Sequence, residues 1–244
     1  MSERIAASAA IALLLALGAT TVHAQQPVPF GTARPDTVAS DATDSEPALS
    51  GSIDQRLAGV DSVTYRLVSG SRLQVKTGKA GLLSFAGHTH VIQARAFSGD
   101  IVYYPRHPAS SRVDITVLTD SLEVLTPPDT AEIRKVTATM RTEILRTSEY
   151  QQIRLTSRQV TPTASGFHMV AALTMVGQTR EVPIDVAVQI GVDTLEAGAT
   201  FTVKQSDFGI KAFSGGPGGT VKVADKVTFS IRAVAVRSTA LVSR

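Results

Sequence analysis

The sequence predicts an all-β chain that closes into an antiparallel barrel, with one amphipathic α-helix capping or flanking it. Three observations carry this expectation. Apolar residues recur with period two from residue 61 onward, one segment switches to helical spacing, and Gly, Pro, Ser or Asp punctuates most gaps. A flattened sandwich satisfies the same pattern and stays open as the alternative. No unit of about 20–50 residues repeats, which argues against a propeller or solenoid.

The first element reads as an address. Arg4 supplies a positive n-region, Ile5 to Leu17 an apolar h-region, and Val22-His23-Ala24 the small residues of a cleavage site. A signal peptide over 1–24 is therefore expected, since the apolar run is shorter than the roughly 20 residues that span a bilayer. No later segment of the sequence is long and apolar enough to cross, so the mature protein is expected to be soluble and periplasmic or secreted. Residues 25–60 are rich in Pro, Ser, Thr and Asp and poor in large apolar side chains, the composition of a disordered linker. The folded domain is expected over 61–236, with a tail at 237–244.

Charge and cysteine usage narrow the function. Arg34 against Asp36, Asp41, Asp44, Glu46 and Asp54 leaves 25–55 at −4, and Glu3 cancels Arg4. The whole-chain +3 thus leaves +7 on residues 56–244. Such an excess favours anionic surfaces or head groups. Nucleic acid is not expected as a partner of an exported protein whose Lys and Arg residues are not clustered with interleaved aromatics. With no cysteine there is no disulfide framework, thiolate metal site or lipidated N-terminal cysteine.

Strands are expected near 63–68, 72–77, 82–86, 88–97 and 99–104, and again near 150–157, 167–176 and 199–205. Three runs show the alternation most clearly. In "VDITVL", Val113, Ile115 and Val117 share one face; in "PIDVAVQI", Ile184, Val186, Val188 and Ile190 do. In "KVTFSIRAVAV", Val227, Phe229, Ile231 and Ala233 alternate with Thr228, Ser230 and Arg232. One segment departs: in "PPDTAEIRKVTATMRTEILR", Ile133, Val136, Met140 and Ile144 fall at helical spacing, and Asp129 with Glu132 resembles a capping box. A helix over 130–146 follows.

The chemistry-bearing residues are few. "FAGHTH" (85–90) contains a His-x-His pair. On a strand beginning at Gly87, His88, His90, Ile92, Ala94 and Ala96 share a face, with Gln93 and Arg95 on the other. Outward Gln93 and Arg95 turn both histidines toward the lumen. Such a pair can chelate Zn²⁺ but needs further ligands, and neither His107 nor His168 stands at a diagnostic spacing. A metal-dependent enzyme built on His88 and His90 is the alternative from another class. Hydrolase motifs are lacking: the sequence has no Gly-x-Ser-x-Gly, no His-Glu-x-x-His and no cysteine nucleophile. "FSGGPGGTVK" (213–222) is followed by a strand pattern rather than a helix, so it reads as a hairpin connection at the barrel mouth and not as a phosphate loop.

Several stretches together resemble the YceI family of lipid-binding barrels. These are "LLSFAGHTHVIQARAFSGDIVY" (82–103), "ITVLTDSLEV" (115–124), "KVTATMRTEILRTSEYQQIRLTSRQV" (135–160), "LTMVGQTREVPIDV" (173–186) and "FTVKQSDFGI" (201–210). No single one is diagnostic; their order across about 61–236 carries the resemblance. The chain departs from the family pattern at Gln151 and Gln152, which replace a Pro after Tyr150, and at the reduced "TPPDTAEI" before the helix.

The resemblance implies an extended, eight-stranded lipocalin-like barrel whose lumen holds a long isoprenoid or similar amphiphile of quinone or polyprenyl type. The expected role is an exported, non-enzymatic protein for transport, storage or sequestration of such a lipid. Phe85, His88, Ile92, Leu173, Met175, Phe201, Phe208 and Phe229 are the expected ligand-binding positions, with His88 near the ligand's polar end. His90 reads as a histidine hydrogen-bonded within a hairpin. Ordinary core packing is the competing reading for each apolar position, and a solid barrel acting as an interaction module is the competing reading for the whole. No cofactor is expected besides the lipid itself. A membrane surface is an expected transient partner, and a homodimer is compatible with the sequence.

Overall fold

The computed structural model describes residues 61–80, 89–125, 130–215 and 221–238. The expected signal peptide and linker, the 82–86 strand, Phe85, His88, Asp129 and the glycines of 216–220 lie outside the described residues. So does the side chain of Glu132.

Alternation produces strands over nearly all of the described chain. They are β1 (Val63–Leu67), β2 (Arg72–Ala80), β3 (Val91–Ala94), β4 (Phe97–Tyr103), β5 (Arg112–Leu118), β6 (Leu122–Val124), β7 (Gln152–Thr163), β8 (Gly166–Met175), β9 (Gln178–Ile190), β10 (Thr194–Lys204), β11 (Ser214–Gly215) and β12 (Val221–Arg237). Every pairing is antiparallel. β1 with β2, β3 with β4, and β5 with β6 are each one interrupted stave, so the ring has eight staves.

Side chains fill the hydrogen bonds lost at these interruptions. Ser71 donates its hydroxyl to the Val234 carbonyl and accepts the Val234 N–H, both at 2.9 Å. Ser121 Oγ accepts the Ala96 N–H at 2.9 Å and donates to the Leu118 carbonyl at 2.7 Å. Thr119 donates to the Tyr150 carbonyl at 2.7 Å. Backbone groups that leave the ladder inside a barrel need such partners.

Closure rests on β12, the longest strand at 17 residues. One edge follows β10 from Lys204↔Lys226 to Thr194↔Val236. The other pairs first with β2 and then with β1, ending at Tyr65↔Arg237. β9 and β10 pair only from Leu195↔Ile190 to Ala199↔Val186. Beyond that point a short 3-10 turn, Gln205–Phe208, packs beside both strands and buries Phe208.

The helix α1 (Thr130–Thr139) departs from the expected 130–146 in its last turn. Met140–Ile144 is a π turn, closed by the Leu145 N–H donating to the Met140 carbonyl at 2.9 Å. Residues spaced by four drift around a 3.6-residue helix, and the wider π turn takes back that drift. Val136, Met140 and Ile144 thereby stay aimed at the barrel. α1 is tied down by the Val124 N–H, which donates to the buried Thr137 hydroxyl at 3.1 Å.

Candidate functional site

The barrel interior holds three apolar voids in file. The first, about 90 Å³, is walled by residues including Ile101, Val113, Phe167, Ile184, Val188 and Leu195. The second, about 60 Å³, shares Ile115, Leu155 and Ile231 with the first and adds Leu173 and Phe201. The third, about 160 Å³, shares Val75, Ile92, Leu122, Ile153 and Phe229 with the second and lies under α1. Strand alternation explains the apolar walls, since each inward position is one of a period-two set. These positions leave the lumen unfilled because, beyond Leu195, β10 lines the first void only with the small residues Ala197, Gly198 and Ala199.

The two ends differ in chemistry. At the first void's end, Tyr65 pairs with Ile101 and donates its hydroxyl to the Gly191 carbonyl at 2.9 Å. Burial pushes the Tyr65 phenol above its ordinary pKa, and the Arg237 charge partly opposes that rise. The third void carries the polar groups Thr77, His90 and Gln205. Thr77 Oγ1 accepts the His90 N–H at 3.1 Å, while the Thr77 N–H donates to the His90 carbonyl at 2.9 Å. Gln205 donates to the Ala224 carbonyl at 2.9 Å. Among the described residues no carboxylate lines any of the three voids.

Among the expected ligand-binding positions, Ile92, Leu173, Met175, Phe201 and Phe229 all line the second or third void. Phe201 and Phe229 stack there, with ring centroids 4.9 Å apart. Phe208 is buried at 1% exposure but lines none of the three, because the chain leaves strand geometry at Gln205 and its parity is lost. Phe85 and His88 lie outside the described residues. The face read from sequence holds at His90, Ile92 and Ala94, while Gln93 bonds outward to Gln74 and Arg95 to Glu123.

His90 reaches the third void, whereas the other described histidines lie elsewhere. His168 contacts Asp185 at 2.8 Å on the outer surface, and exposed His107 occupies a turn. Among the described residues no group of three His, Cys, Asp or Glu is placed to hold a metal. Sequence reasoning missed Val136, Met140 and Ile144 as void-lining residues, although their helical spacing had marked them as the buried face of the helix. It also missed the wall residues Ile115, Leu155 and Ile231, whose alternation was visible but whose level in the barrel depends on register.

Residues 68–235 match the family described as the YceI-like domain. No curated protein matches the sequence. The fold is similar to that of BcnA from Burkholderia cenocepacia, with a TM-score of 0.55 at 16% identity, covering 67% of this chain and 95% of that one. It is also similar to a polyisoprenoid binding domain from Saccharophagus degradans implicated in plant cell wall breakdown. There the TM-score is 0.53 at 11% identity, covering 72% of this chain and 98% of that one. At these identities the likeness is one of fold.

Proposed function

The chain belongs to the YceI-like family, and from that premise we propose that it is an exported, non-enzymatic binding protein for a long-chain isoprenoid or related amphiphilic lipid. The file of apolar voids carries this reading. An occupant that lines the third void, of about 160 Å³, removes its apolar walls from water at about 25 cal/mol per Å². A domain whose net stability is about 5–15 kcal/mol gains directly from an occupant that fills such space. The similar fold of a polyisoprenoid binding domain supports the same ligand class.

The chemistry of the walls suits a chain rather than a reaction. Each buried methylene contributes about 0.8 kcal/mol, so roughly ten net methylenes supply about 8 kcal/mol, near micromolar affinity. Thr77, His90 and Gln205 are the polar groups that would orient a head group at the third void, and the other described lining residues there are apolar. The expected signal peptide over 1–24 supports export, with transport, storage or sequestration in the periplasm or outside the cell.

Native mass spectrometry and organic extraction of protein purified without detergent test the reading. A stoichiometric long-chain amphiphile, or uptake of added polyprenyl lipid by the apo protein, is the expected result. A clean apo spectrum with no uptake rules it out.

A further inference from the structure

The third void is lined in part by residues that alternate with lysines. Lys76 lies between the lining residues Val75 and Thr77, Lys204 precedes Gln205, Lys211 follows Ile210, Lys222 precedes Val223 and Lys226 precedes Val227. On a strand, a residue facing the lumen puts its neighbour on the outer surface. All of these lysines are exposed. They are also close: Lys204 stands directly opposite Lys226, and Lys76 opposite Thr228, whose hydroxyl meets that of Thr202 at 3.3 Å.

Directly opposed like charges destabilise a sheet. Elsewhere the outer surface avoids them by pairing signs across strands, as in Arg66 with Asp100, Arg95 with Glu123, and Arg154 with Asp114. Ion pairs among the described residues are made by arginines and a histidine, and none by these lysines. Acids also stand along the lining segments: Glu123, which pairs with Arg95, and Glu143, Asp207 and Asp225. Asp225 spends its carboxylate on the Ser206 N–H at 2.8 Å and the Ser206 hydroxyl at 2.7 Å. On the side built by β2, β10, β12 and the segment after the 3-10 turn, the lysines outnumber Asp207 and Asp225.

We propose that this lysine patch, carried by β2, β10, β12 and the segment after the 3-10 turn, is a docking surface for an anionic lipid bilayer, which brings the wall of the third void against the head-group layer. The surroundings favour a bilayer over other polyanions: a lysine-rich wall beside an apolar void matches a phosphate layer over hydrocarbon. Lysine suits the task as a compact, hydrated point charge that binds diffuse negative potential without demanding a fixed geometry. The inference rests on the carrier reading, since docking matters because cargo must leave one bilayer for another.

Flotation with vesicles of phosphatidylcholine alone, and of phosphatidylcholine containing phosphatidylglycerol, tests it on the purified full-length protein. Binding is expected only to the anionic vesicles and should fall as salt is raised. A Lys76→Gln, Lys204→Gln, Lys226→Gln variant removes three charges and, at about fivefold each, should partition about a hundredfold less. The control Arg158→Gln, an exposed position on β7, should bind as the parent does. Because the triple variant also relieves like-charge repulsion, its thermal midpoint should not fall, which separates lost docking from lost folding. Equal binding to neutral vesicles, unchanged binding of the triple variant, or a preference for nucleic acid or acidic protein overturns the proposal. Vesicle binding is read without cargo, so a protein that docks but takes up no polyprenyl lipid would sink the carrier reading and leave the docking surface standing.

Discussion

Phe201 and Phe229 face each other across the β10–β12 ladder with their rings 4° from parallel, and Phe229 forms part of the wall shared by the second and third voids. The pair narrows the lumen at one level. Phe229→Ala should cost about 3 kcal/mol in urea unfolding, at the lower end for a buried aromatic, and should merge the two spaces. The lipid recovered from the variant should then shift to bulkier or longer chains by mass. An unchanged lipid profile despite the stability loss would show that this level does not select the occupant.

The cover over the third void is tied to β6 by the Thr137 hydroxyl and by Arg141 Nε, which donates to the Leu122 carbonyl at 3.0 Å. Thr137→Val leaves the Val124 N–H without its acceptor, a loss of about 1–3 kcal/mol. The effect should be local: amide exchange over 130–144 and at Val124 should quicken, while the β10–β12 amides keep their protection. Thr137→Ser, which retains the oxygen, should restore slow exchange. Faster exchange throughout the barrel would instead mean that α1 is integral to global stability.

Two glycines should respond in opposite directions. Gly177 has φ +72° and a Cβ there would sit 2.8 Å from the Tyr150 ring, whereas a Cβ at Gly198 meets nothing within 4 Å. Gly177→Ala should therefore destabilise by more than about 1 kcal/mol, and Gly198→Ala should stabilise by about 0.5–1 kcal/mol through the unfolded chain. Thermal unfolding of the two single variants reads both signs.

Acid lability should include a contribution from Asp225. Hydrogen bonds from the Ser206 side chain, and then from its backbone, hold this carboxyl below its ordinary pKa of 3.8. A depressed folded pKa gives stability that is present above the unfolded value and lost as pH falls through the folded one. Asp225→Asn should thus be less stable than the parent at neutral pH, and the gap should close below about pH 4. A gap independent of pH would assign the effect to packing.

Much of the barrel was legible because one apolar face must be buried, and period two reveals that face. Val227, Phe229 and Ile231 are inward as their alternation implied, and the His90, Ile92, Ala94 face came out as read. What stayed hidden depends on partners far along the chain. The interruptions at Ser71 and Ser121 are stabilised by Val234 and Ala96, so no local pattern could show that six short strands are three staves. The β8–β9 turn was legible from the 173–186 hairpin pattern with its Gly177, but not its first residue: Val176 takes φ 47°, a conformation costly for a β-branched side chain. Its burial at 9% exposure offsets part of that strain. Phe208 followed the apolar pattern but not the strand, which ends at Lys204.

The pairing of Tyr65 with Arg237 has a kinetic consequence. The first and last described strands seal each other, so the ring forms only after the most distant contact in the domain is made. Such contacts are slow to form. Until β12 arrives, β1, β2 and β10 each carry an open edge able to pair with another chain. The interval before closure is therefore when this protein is most exposed to aggregation, and when a greasy guest could be enclosed without passing through the finished wall.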